Sequence, residues 1–383
     1  MAKFTCPFCL QEYDKKLVKY YCPTCRKTSE ASFFEAKSGK VKCKTSGCYG
    51  LATHRKCINP NCDAGVNSDG EAVGTDEIPK VALETENLPF CIVGVSNSGK
   101  TNFITIMLHE LSRAPGLRLV LGAQNNKTQR TQNETYKAMI EMHQAPMGTL
   151  PENVYPQVWY IRNMQRKSGN TVPTYTFTIF DGAGETHEEL DTTYEFPAEK
   201  DYIKASKAIM ITLDPLILEG VAYGGMVDPE IRSLSLAGDD QVKNAPEIVN
   251  NLATYIRTAK GIRDDKIIPI PVAVVLTKFD TVLNNNYFSA DAIVKKSSLT
   301  VEGGRINKSE FKQVDGEIRN WLYDIGEGSF VETLEANFKE FCFFGVSSYG
   351  APPPAIRTTP DNIKPHRILD PMLWLFNRFG FID

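Results

Sequence analysis

Eight of the ten cysteines fall within the first 62 residues, in four short pairs. Cys6 and Cys9, and Cys22 and Cys25, are two C-x-x-C turns, each with a proline inside, separated by twelve residues. Cys43 and Cys48, and Cys57 and Cys62, are wider pairs eight residues apart, with Gly47 and Asn59-Pro60-Asn61 as turn residues. Paired thiolates at this spacing suit a tetrahedral metal, and eight make two closed four-sulfur sites, the chemistry of structural Zn2+. Sequential pairing, the first four and then the last four, gives two zinc ribbons; a cross-braced pairing also satisfies the spacing. His54 lies between the wider pairs and reads as a bystander beside four cysteines. Cys91 and Cys342 sit alone in apolar segments.

The second concentration of chemistry is Gly94-Val-Ser96-Asn97-Ser98-Gly99-Lys100-Thr101, which fits G-x-x-x-x-G-K-T after an apolar strand and before a helical pattern. Glycines let the backbone curl so that its N–H groups face an anion, and the helix that follows adds the positive end of its dipole. That assembly cradles a polyphosphate. Lys100 reaches the β- and γ-phosphates and the Thr101 hydroxyl ligates Mg2+. Downstream, a strand ends in Asp181-Gly-Ala-Gly184-Glu185, which offers a carboxylate for Mg2+ and the Gly184 N–H for a γ-phosphate. A further buried strand ends in Thr277-Lys278-Phe279-Asp280. There Asp280 can accept from guanine N1–H and N2–H2, which adenine lacks, and Lys278 can lie along the base. Phe343-Phe-Gly-Val-Ser347-Ser348 closes the series with an N–H for guanine O6.

GVSNSGKT, DGAG, TKFD and VSS, in this order and each after a strand, resemble the Ras-like (TRAFAC-class) P-loop GTPases over residues 88–350. In that family N/T-K-x-D selects guanine and S-A-x supports it. TKFD fits fully, and VSS places Ser348 where the family has alanine. The resemblance implies a GTP/GDP-binding switch with GTP hydrolysis, in which Lys100, Gly184 and Glu185 are catalytic. It also implies Mg2+ held by Thr101 and Asp181. The family's catalytic glutamine is Glu185 here, and its repulsion of the γ-phosphate implies slow or partner-dependent turnover. The switch threonine has three candidates, Thr128, Thr131 and Thr135, and Arg130, Arg162 and Arg166 are candidate arginine fingers. Thr186 to Glu188 read as a capped helix start. The zinc ribbons, an insertion over Leu216–Val242 and Leu369-Asp-Pro-Met-Leu-Trp-Leu-Phe376 resemble the bacterial double-GTPases, proposed to act in pairs in anti-phage conflict systems. That implies a protein partner, with a second GTPase as a candidate, and a role in antiviral defence.

Behind these sites the 383 residues divide into a double zinc-ribbon module over 1–65, a linker over 66–87 rich in Gly, Asp and Glu, and a P-loop domain over 88–383. The expected fold class is α/β: a mostly parallel sheet flanked by helices, with the small metal module ahead of it. Strands are expected at Pro89–Gly94, Leu117–Leu121, Val158–Arg162, Thr174–Asp181, Ala208–Asp214, Val272–Thr277 and Phe341–Val346. Helices are expected at Lys100–Arg113, Gln129–His143, Glu247–Lys260, Lys308–Asp324 and Pro371–Phe379, and the apolar Trp374–Phe379 stripe should dock on the sheet. Residues 1–62 hold twelve Lys/Arg against four Asp/Glu, a balance of +8, while the whole chain is −3, leaving −11 for the remainder. Eight thiolates and two Zn2+ would reduce the head to about +4. Lys15, Lys16, Lys19, Arg26, Lys27, Lys40, Lys42, Lys44, Arg55 and Lys56 permit nucleic-acid contact, though this charge favours protein docking. An alternative reading is a scaffold that binds nucleotide without hydrolysis and works through its zinc ribbons; an ATP-dependent enzyme is disfavoured by TKFD. No apolar run is long enough to cross a membrane and the N-terminus has no signal core, so a cytoplasmic protein is expected.

Overall fold

The computed structural model describes residues 3–95, 97–114, 116–146, 155–181, 202–236, 242–283 and 287–383, and within these nothing of the Phe33 and Lys37 side chains. The N-terminal module is a set of short ribbons. β1 (Lys3–Thr5) pairs with β2 (Glu12–Asp14), and β3 (Lys19–Tyr21) lies between β4 (Thr28–Ser29) and β7 (His54–Lys56). Helix α1 (Phe33–Ser38) starts on a capping box from Ser32 and Glu35 and leads into β5 (Val41–Lys42), which pairs with β6 (Leu51–Ala52).

The 66–87 segment, expected as a linker, packs against β7 of the N-terminal module. Asn67 Oδ1 accepts from the amides of Asp69 and Glu71 at 3.0 and 2.8 Å, so the polar residues make turns. Lys56 Nζ donates to the carbonyls of Gly74 and Asp76, and Arg55 Nε to that of Ile78. Ile78 is fully buried, and α2 (Lys80–Glu84) buries Ala82. A composition rich in Gly and Asp signals turn geometry as readily as flexibility, and here the contacts decide.

The body is an α/β layer structure around a seven-stranded, mostly parallel sheet. In chain order its strands are β8 (Asn87–Gly94), β9 (Leu119–Ala123), β10 (Gln157–Asn163), β11 (Thr174–Asp181), β12 (Ala208–Leu213), β13 (Val272–Leu276) and, after a small hairpin of β14 (Val301–Glu302) and β15 (Arg305–Ile306), β16 (Phe341–Gly345). The spatial order is β16-β13-β12-β8-β11-β10-β9. The five strands from β16 to β11 run parallel; β10 opposes β11, and β9 opposes β10. Burial follows the two-residue period of strands covered on both faces. Cys91, Val93, Ile209 and Ile211 enter one apolar cluster, and Phe90, Ile92, Ala208 and Met210 the other.

Helices α3 (Lys100–Arg113) and α4 (Asn126–Glu141) join on one side, where Gln132 Nε2 donates to the Thr105 carbonyl at 2.8 Å. Two short helices, α5 (Glu219–Tyr223) and α6 (Pro229–Leu236), form within the 216–242 insertion, which the sequence reading leaves without elements. After them come α7 (Ala245–Lys260), the short α8 (Asp280–Leu283), α9 (Ser309–Asp324), α10 (Gly328–Asn337), which was not expected, and α11 (Asp370–Arg378). α11 docks its apolar stripe on the sheet as expected, with the Phe376 ring 6.4 Å from that of Phe90. The metal module is seated on the same sheet: Thr178 Oγ1 of β11 donates to the Pro7 carbonyl at 3.2 Å, and Tyr202 OH to the Phe8 carbonyl at 2.6 Å.

Candidate functional site

Five consecutive parallel strands end on one side of the sheet, and the polar residues singled out in the sequence stand at those ends. Gly94 ends β8, Asp181 ends β11, Asp214 follows β12, Thr277 follows β13 and Ser347 comes two residues after β16. Carboxyl ends of parallel strands are where open α/β sheets bind ligands. A cavity of about 260 Å³ lies there, lined by Asn97 to Asn102, by Thr277, Lys278, Asp280 and Thr281, and by Ser347, Ser348 and Tyr349.

Three positions of the phosphate-loop sequence are set by backbone geometry. Asn97 and Gly99 have left-handed φ of 58° and 75°, which turns the chain back over the strand end. A methyl group on Gly94 would collide with Thr212 of the neighbouring strand. α3 begins directly after Gly99, which has no side chain to cap it, and its first residues line the cavity. The Lys100 ammonium, in a residue only 8% exposed, donates to the carbonyls of Gly94 and Val95 at 3.2 and 3.3 Å. Thr101 Oγ1 donates to Asp181 Oδ2 at 3.0 Å, so the two predicted magnesium ligands are adjacent across eighty residues of chain. This arrangement fits a polyphosphate with a hard divalent cation: amides and an ammonium on one side, a hydroxyl and a carboxylate on the other. Ser98 Oγ lies 3.1 Å from Thr212 Oγ1, inside the wall.

At the other end, Thr277 Oγ1 donates to the Ser98 carbonyl at 2.6 Å and so ties the base-side loop to the phosphate-side loop. Lys278, at φ 49°, extends its ammonium to Asn97 O (3.0 Å), Asp214 Oδ2 (2.6 Å) and Ser235 O (2.6 Å). Burial raises the Asp280 carboxyl above its ordinary value, while the Ser347 hydroxyl, bonded to it, pulls the other way. Ser347 Oγ also accepts from the Gly350 amide at 2.7 Å, which fixes the loop after β16.

Some candidates fall elsewhere. Ser96, Gly184 and Glu185, with Thr186 to Glu188, lie outside the described residues. None of Thr128, Thr131 and Thr135 lines the cavity: they belong to α4, and the buried Thr128 Oγ1 accepts from the Val158 amide at 3.1 Å. Ala145 and Pro146, beyond α4, line it instead. Arg130 pairs with Glu134, Arg162 lies over the Tyr160 ring, and Arg166 is bound to Asp383, so none of the three candidate fingers reaches the cavity. Arg357 does line it and was missed, as were Asp214 and Ser235; no local motif marks them, since Asp214 merely ends an expected strand and Ser235 lies on the short α6.

The eight N-terminal cysteines gather into two groups: Cys6, Cys9, Cys57 and Cys62, and Cys22, Cys25, Cys43 and Cys48. The pairing is nested, first pair with fourth and second with third, neither sequential nor cross-braced. The reason is strand pairing: β3 and β7 run antiparallel, so Cys22 and Cys57 leave the ribbon at opposite ends, and β5 against β6 closes the inner pairs on each other. Four sulfurs at about 2.3 Å from one tetrahedral ion stand about 3.8 Å apart. The Sγ separations are 3.9 Å for Cys6–Cys62, 3.8 Å for Cys9–Cys57, 3.8 Å for Cys22–Cys48 and 3.4 Å for Cys25–Cys43. Burial pushes the Cys6 thiol well up, so thiolate at that position calls for a cation among the four. Both groups therefore fit Zn2+, with all positions filled by protein. His54 joins neither; its Nδ1 is 3.0 Å from Thr53 Oγ1.

No protein-family model matches the chain, and no characterised protein matches it in sequence. Solved structures that resemble it include the Arl6 small GTPase of Trypanosoma brucei with a bound nucleotide analogue, at 11% identity and TM-score 0.31, over 78% of this chain and 99% of that one. The signal recognition particle receptor SRb-GTP/SRX complex of Chaetomium thermophilum matches at 15% and 0.28, over 70% and 94%. The Ski7 GTPase-like domain of S. cerevisiae, with GDP and inorganic phosphate, matches at 12% and 0.29, over 77% of this chain and 50% of that one. Scores this low say nothing about what this chain binds.

Proposed function

We propose that the chain is a guanine-nucleotide-binding switch that hydrolyses GTP, slowly or on stimulation by a partner. The observation that supports it best is the meeting of the phosphate loop, TKFD and VSS in one cavity at the ends of parallel strands. In this reading the amides from Asn97 to Thr101 bind the phosphates, and Lys100 leaves the loop carbonyls to neutralise them. Thr101 and Asp181 hold Mg2+, which when bound supplies charge neutralisation at the phosphates. Thr277, Lys278 and Asp280 orient the base, with Ser347 and Ser348 beside it. Rate acceleration in such a site comes from positioning and fixed charge. Gly184 and Glu185 would serve the γ-phosphate and the attacking water.

The metal module, with two structural Zn2+, would dock a partner protein, in keeping with a second GTPase and with a cytoplasmic role in bacterial anti-phage defence. Among the described residues no helix is long and apolar enough to cross a membrane. A second reading, a non-hydrolysing scaffold whose zinc head binds nucleic acid, is favoured by one surface. On the β5–β6 ribbon Val41 and Ala52 are buried, while Lys42 of β5 with the flanking Lys40 and Lys44, and Leu51 of β6 with the preceding Tyr49, are exposed.

The deciding experiment is calorimetric titration of GTP and ATP with Mg2+, followed by phosphate release from the native chain and from Lys100→Ala. GTP is expected to bind far more tightly, and Lys100→Ala to release little phosphate. Equal affinity for the two nucleotides removes the guanine claim, and identical release from both proteins removes hydrolysis.

A further inference from the structure

The Lys278 ammonium marks a place between the two ends of the cavity. It bonds Asn97 O of the phosphate loop, and its own residue stands two positions before Asp280, which is assigned to the base. In a nucleotide, what joins phosphate to purine is the sugar. The other two partners of that ammonium are Ser235 O and Asp214 Oδ2, so the end of α6 is pinned beside the sugar position.

Ser235 lines the cavity and is only 7% exposed, and its hydroxyl has no hydrogen-bond partner among the described residues. A buried hydroxyl left unpaired costs free energy, and a ligand in the cavity that Ser235 lines can supply the missing partner. Leu234 lines the same wall. We propose that Ser235 Oγ hydrogen-bonds a ribose hydroxyl of the bound nucleotide, which makes α6 part of the nucleotide site and gives the protein a preference for ribo- over deoxyribonucleotides. The inference rests on the guanine-nucleotide reading above and adds to it a sugar-reading residue.

Calorimetric titration of the native chain, Ser235→Ala and Ser235→Thr with GTP, 2′-deoxy-GTP and 3′-deoxy-GTP tests it, with thermal melting of each free protein as a control on folding. The native chain is expected to bind GTP roughly threefold to tenfold more tightly than one of the two deoxy analogues, the range of one net hydrogen bond. Ser235→Ala is expected to bind GTP at the level of that analogue and to bind the analogue as the native chain does. Ser235→Thr, which keeps the hydroxyl, retains the discrimination. Equal weakening of all three ligands by Ser235→Ala, or no weakening, overturns the inference while leaving the guanine site intact. A native chain that binds no GTP overturns the nucleotide reading and this inference with it.

Discussion

Asp280 shows how a single side chain can carry both selectivity and pH dependence. Its burial raises the carboxyl above its ordinary value of 3.8; of its charged neighbours, Asp214 adds to the rise and Lys278 opposes it, as does the Ser347 hydroxyl. Accepting from guanine N1–H and N2–H2 requires the ionised form. The sign follows: a raised value means the free protein keeps its proton to higher pH than an ordinary aspartate. Guanine affinity is then full above that raised value and is lost as pH falls through it. GTP titrations from pH 7 downward should show affinity falling before the ordinary carboxylate range is reached, and Asp280→Asn should abolish that step. The same variant, with an amide that donates where the carboxylate accepted, should shift preference toward xanthosine triphosphate. An unchanged pH profile in Asp280→Asn, or no gain in xanthine binding, would remove Asp280 as the base reader. The type and place of this residue were legible from TKFD after an apolar strand. Asp214, fully buried and bonded to Lys278, was not, because an aspartate after a strand has no signature until the neighbouring strand is known.

At the scale of elements, the long periodic segments were readable and the short ones were not. The expected bounds of α3 hold to the residue, and α7 starts two residues earlier, capped by Asn244 accepting from the Glu247 amide. By contrast α5 and α10 hold together through tertiary contact: the Gly220 amide donates to Glu327 Oε1 at 3.0 Å, and a methyl group on Gly220 would collide with Ile325. Five- to ten-residue helices without a strong stripe depend on such contacts, which no window of sequence contains. The packing of α9 and α11 depends on a buried charge cluster of the same kind. Arg367 Nε donates to Asp370 Oδ2 at 2.7 Å, Arg367 lies 3.6 Å from Glu310, and Thr300 Oγ1 donates to Glu310 Oε1 at 2.6 Å. Burial raises Asp370 to about 6, against the pull of Arg367. Arg367→Met leaves two buried carboxylates facing each other with only the half-exposed Lys296 near them. Urea denaturation at pH 7 should show a loss of about 3–5 kcal/mol. The deficit should shrink at lower pH, because protonation of Asp370 removes uncompensated charge as pH falls through its raised value. A deficit that stays constant with pH would mean that Arg367 acts by packing alone.

On the scale of the whole molecule, the nested cysteines decide which metal the sheet depends on. Sequence spacing identifies the four pairs but not which pairs meet, since that is fixed by β3 pairing with β7 across more than thirty residues. The site of Cys6, Cys9, Cys57 and Cys62 includes the turn whose Pro7 and Phe8 carbonyls accept from Thr178 and Tyr202, and Thr178 stands three residues before Asp181. Among the described residues the site of Cys22, Cys25, Cys43 and Cys48 makes no such hydrogen bond to the sheet and lies in the outer ribbons. Metal analysis of the native chain should give two Zn2+ per chain, one for each group. Cys9→Ser should retain one. Brief alkylation of that variant under native conditions, read by mass spectrometry, should label Cys6, Cys57 and Cys62 and spare Cys22, Cys25, Cys43 and Cys48. Labelling of Cys22 and Cys25 in place of Cys57 and Cys62 would restore the sequential pairing and refute the nested one. Because the inner turn bears on β11, Cys9→Ser should also weaken GTP binding more than Cys25→Ser does. Equal effects of the two variants would mean that the metal module and the nucleotide cavity are energetically independent, whatever the hydrogen bonds between them.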